Sequence, residues 1–157
     1  MSSVVLREVL ITDVPIFFEH MQNKDQQWQA AFVSKDPANM EAHNQHWEKL
    51  MANPEVLNRT ILHDGKVIGY IGRYFMDNVP QITYWVSYEY SGKGLTTLAL
   101  ELFLKLETQR PLEARTAFDN LASARVLEKN GFRITDTDLY FSNARNAEIA
   151  ETIWSLG

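Results

Sequence analysis

The period of the hydrophobic pattern changes once, sharply, between Gln81 and Leu106, and that change limits the fold more than any other feature. From Gln81 to Tyr88 the chain alternates, with Ile82, Tyr84, Val86 and Tyr88 on one side, the period of a strand. From Leu95 onward Leu95, Leu98, Ala99, Leu102, Phe103 and Leu106 recur at three and four residues, the period of an amphipathic helix. Between the two lies Ser91-Gly92-Lys93-Gly94. A strand that feeds a helix through a glycine turn belongs to a sheet with helices packed against it.

The rest of the chain is consistent with that. Val4 to Arg7 is a short strand. Thr12-Asp13-Val14-Pro15 opens a first helix, with Thr12 as its cap, and Asp36-Pro37 opens a second that stops before Pro54. Arg59 to His63, Asp64-Gly65 and Lys66 to Phe75 read as a hairpin, and Asp77-Asn78 turns the chain into the Gln81–Tyr88 strand. After Pro111, Leu112 to Phe118 is a strand and Asn120 to Asn130 a helix closed by Gly131; Phe132 to Thr135 and Ile149 to Leu156 supply the last strands. Three consecutive strands imply an antiparallel meander, and the strand–helix alternation after it implies parallel pairing. No composition break marks a linker, so all 157 residues are expected to form a single domain.

The glycine turn has a specific capacity. Glycines leave backbone N–H groups uncovered, and the first N–H groups of a helix lack internal partners at the positive end of its dipole. Lys93, Thr96 and Thr97 add donors, so a phosphate is the natural guest. It is not a Walker A loop: Gly92-Lys93 is followed by Gly94, and Ser87 stands where the leading glycine is required. It is not a dinucleotide loop either, because Thr97 stands where the third glycine is required.

A second block follows at Asn120-Leu121-Ala122-Ser123, leading into Val126-Leu127-Glu128-Lys129-Asn130-Gly131-Phe132. Together the two blocks resemble the GNAT superfamily of acetyl-CoA-dependent N-acetyltransferases. The family carries [QR]-x-x-G-x-[GA] after its fourth strand. Here Gly94 matches, with Ser91 in place of Gln or Arg and Thr96 in place of Gly or Ala. The Asn120–Ser123 spacing is most similar to the Rim-type subgroup, which acetylates ribosomal-protein N-termini. The resemblance implies a mixed α/β domain with a central, mostly antiparallel sheet of about seven strands flanked by about four helices.

It also implies a site. The cofactor's pyrophosphate would lie on the backbone from Ser91 and Gly92 through Lys93, Gly94, Leu95 and Thr96 to Thr97. Its pantetheine arm would pair with Val86, Ser87 and Tyr88, opposite a partner strand at Ala114 to Phe118. The N–H near Val86 would polarise the thioester carbonyl. Asn120 would bond the arm, or cap its helix, or both, and Lys129 belongs to the same cofactor block. Ser123 would return a proton to the leaving thiolate, or bond the backbone of the first helical turn. Glu89 is the first carboxylate candidate for a base, against a solvated loop acid. Trp28, Tyr84 and Tyr140 are acceptor-side candidates, with core packing as the alternative for the aromatics, Phe32 and Trp47 included. Asp77 could attract a cationic amine, but reads first as a turn former. Arg7 resembles a family arginine that ties strands together. The implied reaction is acetyl transfer to a primary amine, either a peptide or protein N-terminus or a small molecule. A non-catalytic acyl-CoA-binding module remains the rival, because Ser91 and Thr96 depart from the motif. A homodimer is compatible with the resemblance.

Composition removes other classes. Without cysteine there is no disulfide, thiolate metal site or cysteine nucleophile. A net charge of −5 argues against a nucleic-acid partner. No apolar run reaches the ~18–20 residues that cross a membrane, and Met1 to Arg7 lacks the pattern of a signal peptide, so the cytoplasm is expected. His43-x-x-His46 has metal-pair spacing but no third ligand, and no metal is expected.

Overall fold

Two left-handed dipeptides set up the sheet. Asp64 (φ 50°) and Gly65 (φ 80°) join strand β2 (Leu57–His63) to β3 (Lys66–Met76). Asp77 (φ 51°) and Asn78 (φ 65°) do the same between β3 and β4 (Val79–Val86), so Asp77 is a turn former. Positive φ at both central residues gives the turn whose twist matches that of paired strands. The computed structural model describes residues 3–157; Met1 and Ser2, the start of the segment read for a leader, lie outside the described residues.

Around this meander stand β1 (Val4–Glu8), α1 (Val14–His20), α2 (Lys24–Ala30), α3 (Met40–Ala52), α4 (Leu95–Leu106), β5 (Leu112–Ala117), α5 (Leu121–Lys129), β6 (Arg133–Ser142) and β7 (Ala147–Leu156). The seven strands form one sheet in the order β1-β2-β3-β4-β5-β7-β6. Every pairing is antiparallel except β4 with β5.

Successive side chains of β3 divide the interior in two. Ile71 joins Ile61, Ile82, Leu95, Ala99, Leu100, Phe103, Leu112 and Leu127 in a core between the sheet and helices α4 and α5. Tyr70 points the other way and meets Phe17 of α1 and Trp47 of α3, with ring centroids 4.9–5.3 Å apart. Trp47 therefore packs as core.

The described residues hold five α-helices beside the seven-stranded sheet, in keeping with the expected architecture. Several local readings are corrected. Helix α2 is an addition: it buries only Gln27, so it has no apolar period to read. Its start is marked by Asn23, whose side chain accepts the Gln26 N–H at 2.9 Å. Helix α3 begins at Met40 under an Asn39 cap rather than at Pro37. Thr12 caps nothing; it sits in a short 3-10 turn ahead of α1. The buried stripe of α4 is Leu95, Ala99, Leu100 and Phe103, leaving Leu98 and Leu106 at its exposed margins. Tyr88 lies beyond the end of β4, in a second 3-10 turn. Parallel pairing is confined to β4–β5, because the long β6–β7 hairpin returns antiparallel to β5.

Arg7 does tie elements together. Its guanidinium holds both oxygens of buried Asp13 at 2.6 and 2.9 Å, and Asp13 also accepts the Leu10 N–H at 2.8 Å and the Thr60 hydroxyl at 2.7 Å. Burial works against the Asp13 carboxylate, but these four bonds prevail and hold its pKa below the usual range.

Candidate functional site

Strands β4 and β5 pair at Gln81–Glu113 and Ile82–Ala114 and then part. The rest of β4, Thr83 to Val86, has no partner on that edge. The Ser87 N–H donates to the Ile68 carbonyl at 2.7 Å. In an antiparallel ladder the outward and inward groups alternate, so the N–H and C=O groups of Tyr84 and Val86 face the gap. The Val86 carbonyl accepts Nε2 of Gln26, from α2, at 2.6 Å. The other end of that amide, Oε1, is buried without a hydrogen-bond partner.

One end of the gap leads to the glycine turn. Gly92 (φ 74°) and Gly94 (φ 75°) both require left-handed backbone, and a Cβ on either would meet nothing within 4 Å. The turn is therefore open because it is glycine, not because something is packed against it. Ser91 closes it locally, its hydroxyl donating to the Tyr88 carbonyl at 2.7 Å. Gly94 caps α4 with no side-chain bond, and the helix's first backbone bond is Leu98 N–H to Gly94 at 3.2 Å. The N–H groups of Leu95, Thr96 and Thr97 thus have no partner within the helix. The Leu95 side chain is core, so its only contribution to an anion is this N–H. Lys93 is exposed, its ammonium 5.5 Å from the Tyr90 ring centroid.

The other wall of the gap is the start of α5. Asn120 accepts the Ser123 N–H at 3.2 Å, which makes it the helix cap. The Ser123 hydroxyl meets that of Tyr84 at 2.5 Å. Burial raises the Tyr84 phenol to about 12, with the Ser123 bond pulling slightly the other way. The phenol therefore stays protonated at neutral pH, so the two hydroxyls keep hydrogens to donate. Lys129 is exposed at the far end of α5. Beside it Asn130 donates to the Thr97 carbonyl at 3.3 Å and ties α5 to the first turn of α4.

Two clefts open beyond the end of β4, the first of them reaching the end of β5. One, of about 360 Å³, is lined by Asp25, Trp28, Gln29, Tyr88, Asp119 and Arg145. Trp28 is 57% exposed, so it lines a cleft rather than the core. Arg145, from the β6–β7 loop, stacks 5.0 Å over the Trp28 ring and holds Asp119 through two bonds of 2.8 Å. Arg145 thus fastens that loop to α2 and to the end of β5. The second cleft, of about 400 Å³, is lined by Glu19, His20, Asn23, Ser87, Tyr88 and Glu89. Tyr88 lies between the two. His20 donates nothing from Nδ1, which is buried without a partner, while its backbone carbonyl accepts the Trp85 indole at 3.2 Å. Burial lowers the His20 pKa; Glu19 and Glu89 oppose that and Lys66 adds to it.

Tyr140 lines neither cleft; it is 44% exposed on β6, with Arg115 6.0 Å from its ring. His43 bonds the Val14 carbonyl at 2.9 Å and packs against Phe18. Among the described residues no group of three or more His, Asp or Glu side chains could hold a metal ion, and no helix is long and apolar enough to cross a membrane. Gln26, His20 and Arg145 carried no sequence motif. The cap at Asn23, which fixes α2 and with it Gln26, was the one readable signal.

Residues 3–133 match the family model described as "Acetyltransferase (GNAT) domain". The "Putative ribosomal N-acetyltransferase YdaF" of Bacillus subtilis (strain 168) is 27% identical over 124 residues, 71% of this chain and 67% of its own. Mycobacterium smegmatis RimJ, solved with CoA-disulfide, superposes with a TM-score of 0.80 at 20% identity, over 98% of this chain and 81% of that one. The microcin C7 self-immunity acetyltransferase MccE, solved with acetyl-CoA and AMP, gives 0.81 at 17% identity, over 98% and 91%.

Proposed function

The chain belongs to the GNAT acetyltransferase family, and we propose that within it the protein transfers acetyl from acetyl-CoA to a primary amine, in the first instance a peptide or protein N-terminal α-amine. The observation that carries this is the parting of β4 from β5 between an uncapped helix start and a hydroxyl pair. The residues fit such a cofactor. The N–H groups from Gly92 to Thr97 can take the pyrophosphate. The free edge of β4 can pair with an extended amide chain, and the Val86 N–H can hold the oxygen that gains charge. Acetyl-CoA supplies a thioester whose leaving sulfur has a pKa of roughly 8.5 by analogy with Cys. Ser123, backed by Tyr84, lies on the wall of the gap and can return a proton to that sulfur. Asn120 and Lys129 complete the cofactor side.

Support for a protein N-terminus comes from the relative named as a ribosomal N-acetyltransferase. An α-amine, with a pKa of ~7.7–8.0, is already partly neutral and needs only a weak base. Trp28 offers that acceptor an aromatic wall. The same relative, named for a ribosomal activity, supports a cytoplasmic setting, and the one seven-stranded sheet supports reading residues 1–157 as a single domain.

Calorimetric titration with acetyl-CoA, followed by thiol release against pooled α-amino peptides and small amines, tests the reading. Binding with peptide-dependent release is expected. Release with small amines alone reassigns the acceptor, binding without release makes the protein a binding module, and no binding overturns the site.

A further inference from the structure

Something must take the proton from the acceptor, and the carboxylate nearest in sequence, Glu89, is an exposed loop residue. The cleft beside it holds a better group. We propose that His20 is the catalytic base, and that the 400 Å³ cleft receives the acceptor as an ammonium ion; this rests on the acetyl-transfer reading above.

Place comes first. His20 ends α1 and is held against β4 by the Trp85 indole on its backbone carbonyl, a contact independent of the imidazole. It lines the same cleft as Ser87 and Tyr88, the two residues that follow Val86. An amine entering there approaches the point at which the Val86 N–H would hold the carbonyl.

Hydrogen bonding comes second. Buried polar atoms are almost always paired, and an orphan needs an explanation. Nδ1 of His20 is such an orphan, and it is closed to solvent as well as unpaired. A turn of the imidazole about its Cβ–Cγ bond, which brings that nitrogen to the cleft, is part of the proposal; there an amine, or a water between amine and ring, would complete it.

Charge comes third. The cleft carries two carboxylates, Glu19 on α1 and Glu89 in the turn after β4, and these favour a cation entering it. Lys66, at the start of β3, is the opposing cation that bears on the imidazole. With burial the balance keeps His20 neutral at neutral pH, the form a base needs. The step moves one proton. An N–H bond of the ammonium breaks, its electron pair remains on nitrogen as the lone pair that attacks the acetyl carbonyl carbon, and the imidazole holds the proton before releasing it to solvent.

The test is kcat against pH for wild type and His20→Gln, at saturating acetyl-CoA and saturating α-amino peptide, with acetyl-CoA affinity measured alongside. Wild-type kcat should fall as pH drops through the His20 value, below about 6.5. His20→Gln should lose that limb and roughly 10²-fold of its neutral-pH turnover, with affinity within twofold. Glu89→Gln, which removes a carboxylate that favours the charged ring, should move the limb to lower pH. An active wild type whose His20→Gln variant keeps its turnover or its limb overturns the role of His20 alone. A wild type that binds acetyl-CoA and acetylates no amine overturns the transfer reading, and the base with it. A His20→Gln chain that no longer binds acetyl-CoA makes the residue structural.

Discussion

The two sides of β4 are built on opposite rules. Toward β3, the strand is paired along its whole length, and beyond β3 the Arg7–Asp13–Thr60 cluster satisfies each charge it buries. Toward β5, pairing stops after two residues and backbone groups are left facing the gap, while a glutamine oxygen and a histidine nitrogen on the helices beside it are buried without partners. The first side holds the sheet together without reference to any ligand. The second keeps hydrogen-bonding capacity in reserve where a guest could use it. Damage on one side should therefore change stability, and damage on the other should change binding or turnover.

The largest effect should come from Asp13→Asn. Arg7 would lose its counter-ion beside a buried group, at a cost of about 2–3 kcal/mol in denaturant unfolding, with kcat per folded molecule unchanged. The same carboxylate sets an acid limit. Its pKa is lower folded than unfolded, so its stabilisation is complete above pH ~4 and is lost as pH falls through the folded value. A parallel acid-unfolding series should show the variant less pH-sensitive there than wild type. Gly94→Asp should follow, weakening acetyl-CoA at least roughly 10²-fold by setting a carboxylate at the helix start. Its Cβ would meet nothing within 4 Å, so the loss of stability should come from the left-handed backbone alone, about 1–2 kcal/mol. Unchanged affinity in calorimetry would break the comparison at its central point. Ser123→Ala should do least, lowering kcat roughly tenfold with affinity intact, since a thiolate of pKa ~8.5 already leaves well. Equal turnover would remove Ser123 from the chemistry and leave it a helix-start residue.

What could be read from the sequence follows the same division. The satisfied side was legible because its signals are local: Asp64-Gly65, Asp77-Asn78, the alternation of β4 and the periodicity of α4 each act within a few residues. The glycine turn and the Asn120–Ser123 cap were legible for the same reason. Thr12 misled because the acid next to it was already committed to Arg7, and Pro37 because Asn39 supplies the cap. The clefts were not legible. Trp28 meets Arg145 across more than a hundred residues, and Tyr84 meets Ser123 across 39. Gln26 and His20 gain meaning only from α2 and α1 lying over the end of β4. Helix α2 itself is polar almost all round, so burial, the source of most sequence signals, scarcely acts on it.

Gln26 gives the gap one more property. Its side chain is a primary carboxamide resting on the Val86 carbonyl, and the arm expected to lie along β4 is itself built from amides. The chain thus supplies a placeholder of the same chemical kind as its visitor. With the arm on that edge, arrival would be a like-for-like exchange, one amide donor leaving the carbonyl as another takes it. Such an exchange would add little free energy. Affinity would then have to arise elsewhere along the cofactor, at the phosphates above all, and the Gln26 contact would keep the strand edge shaped and unzipped between turnovers.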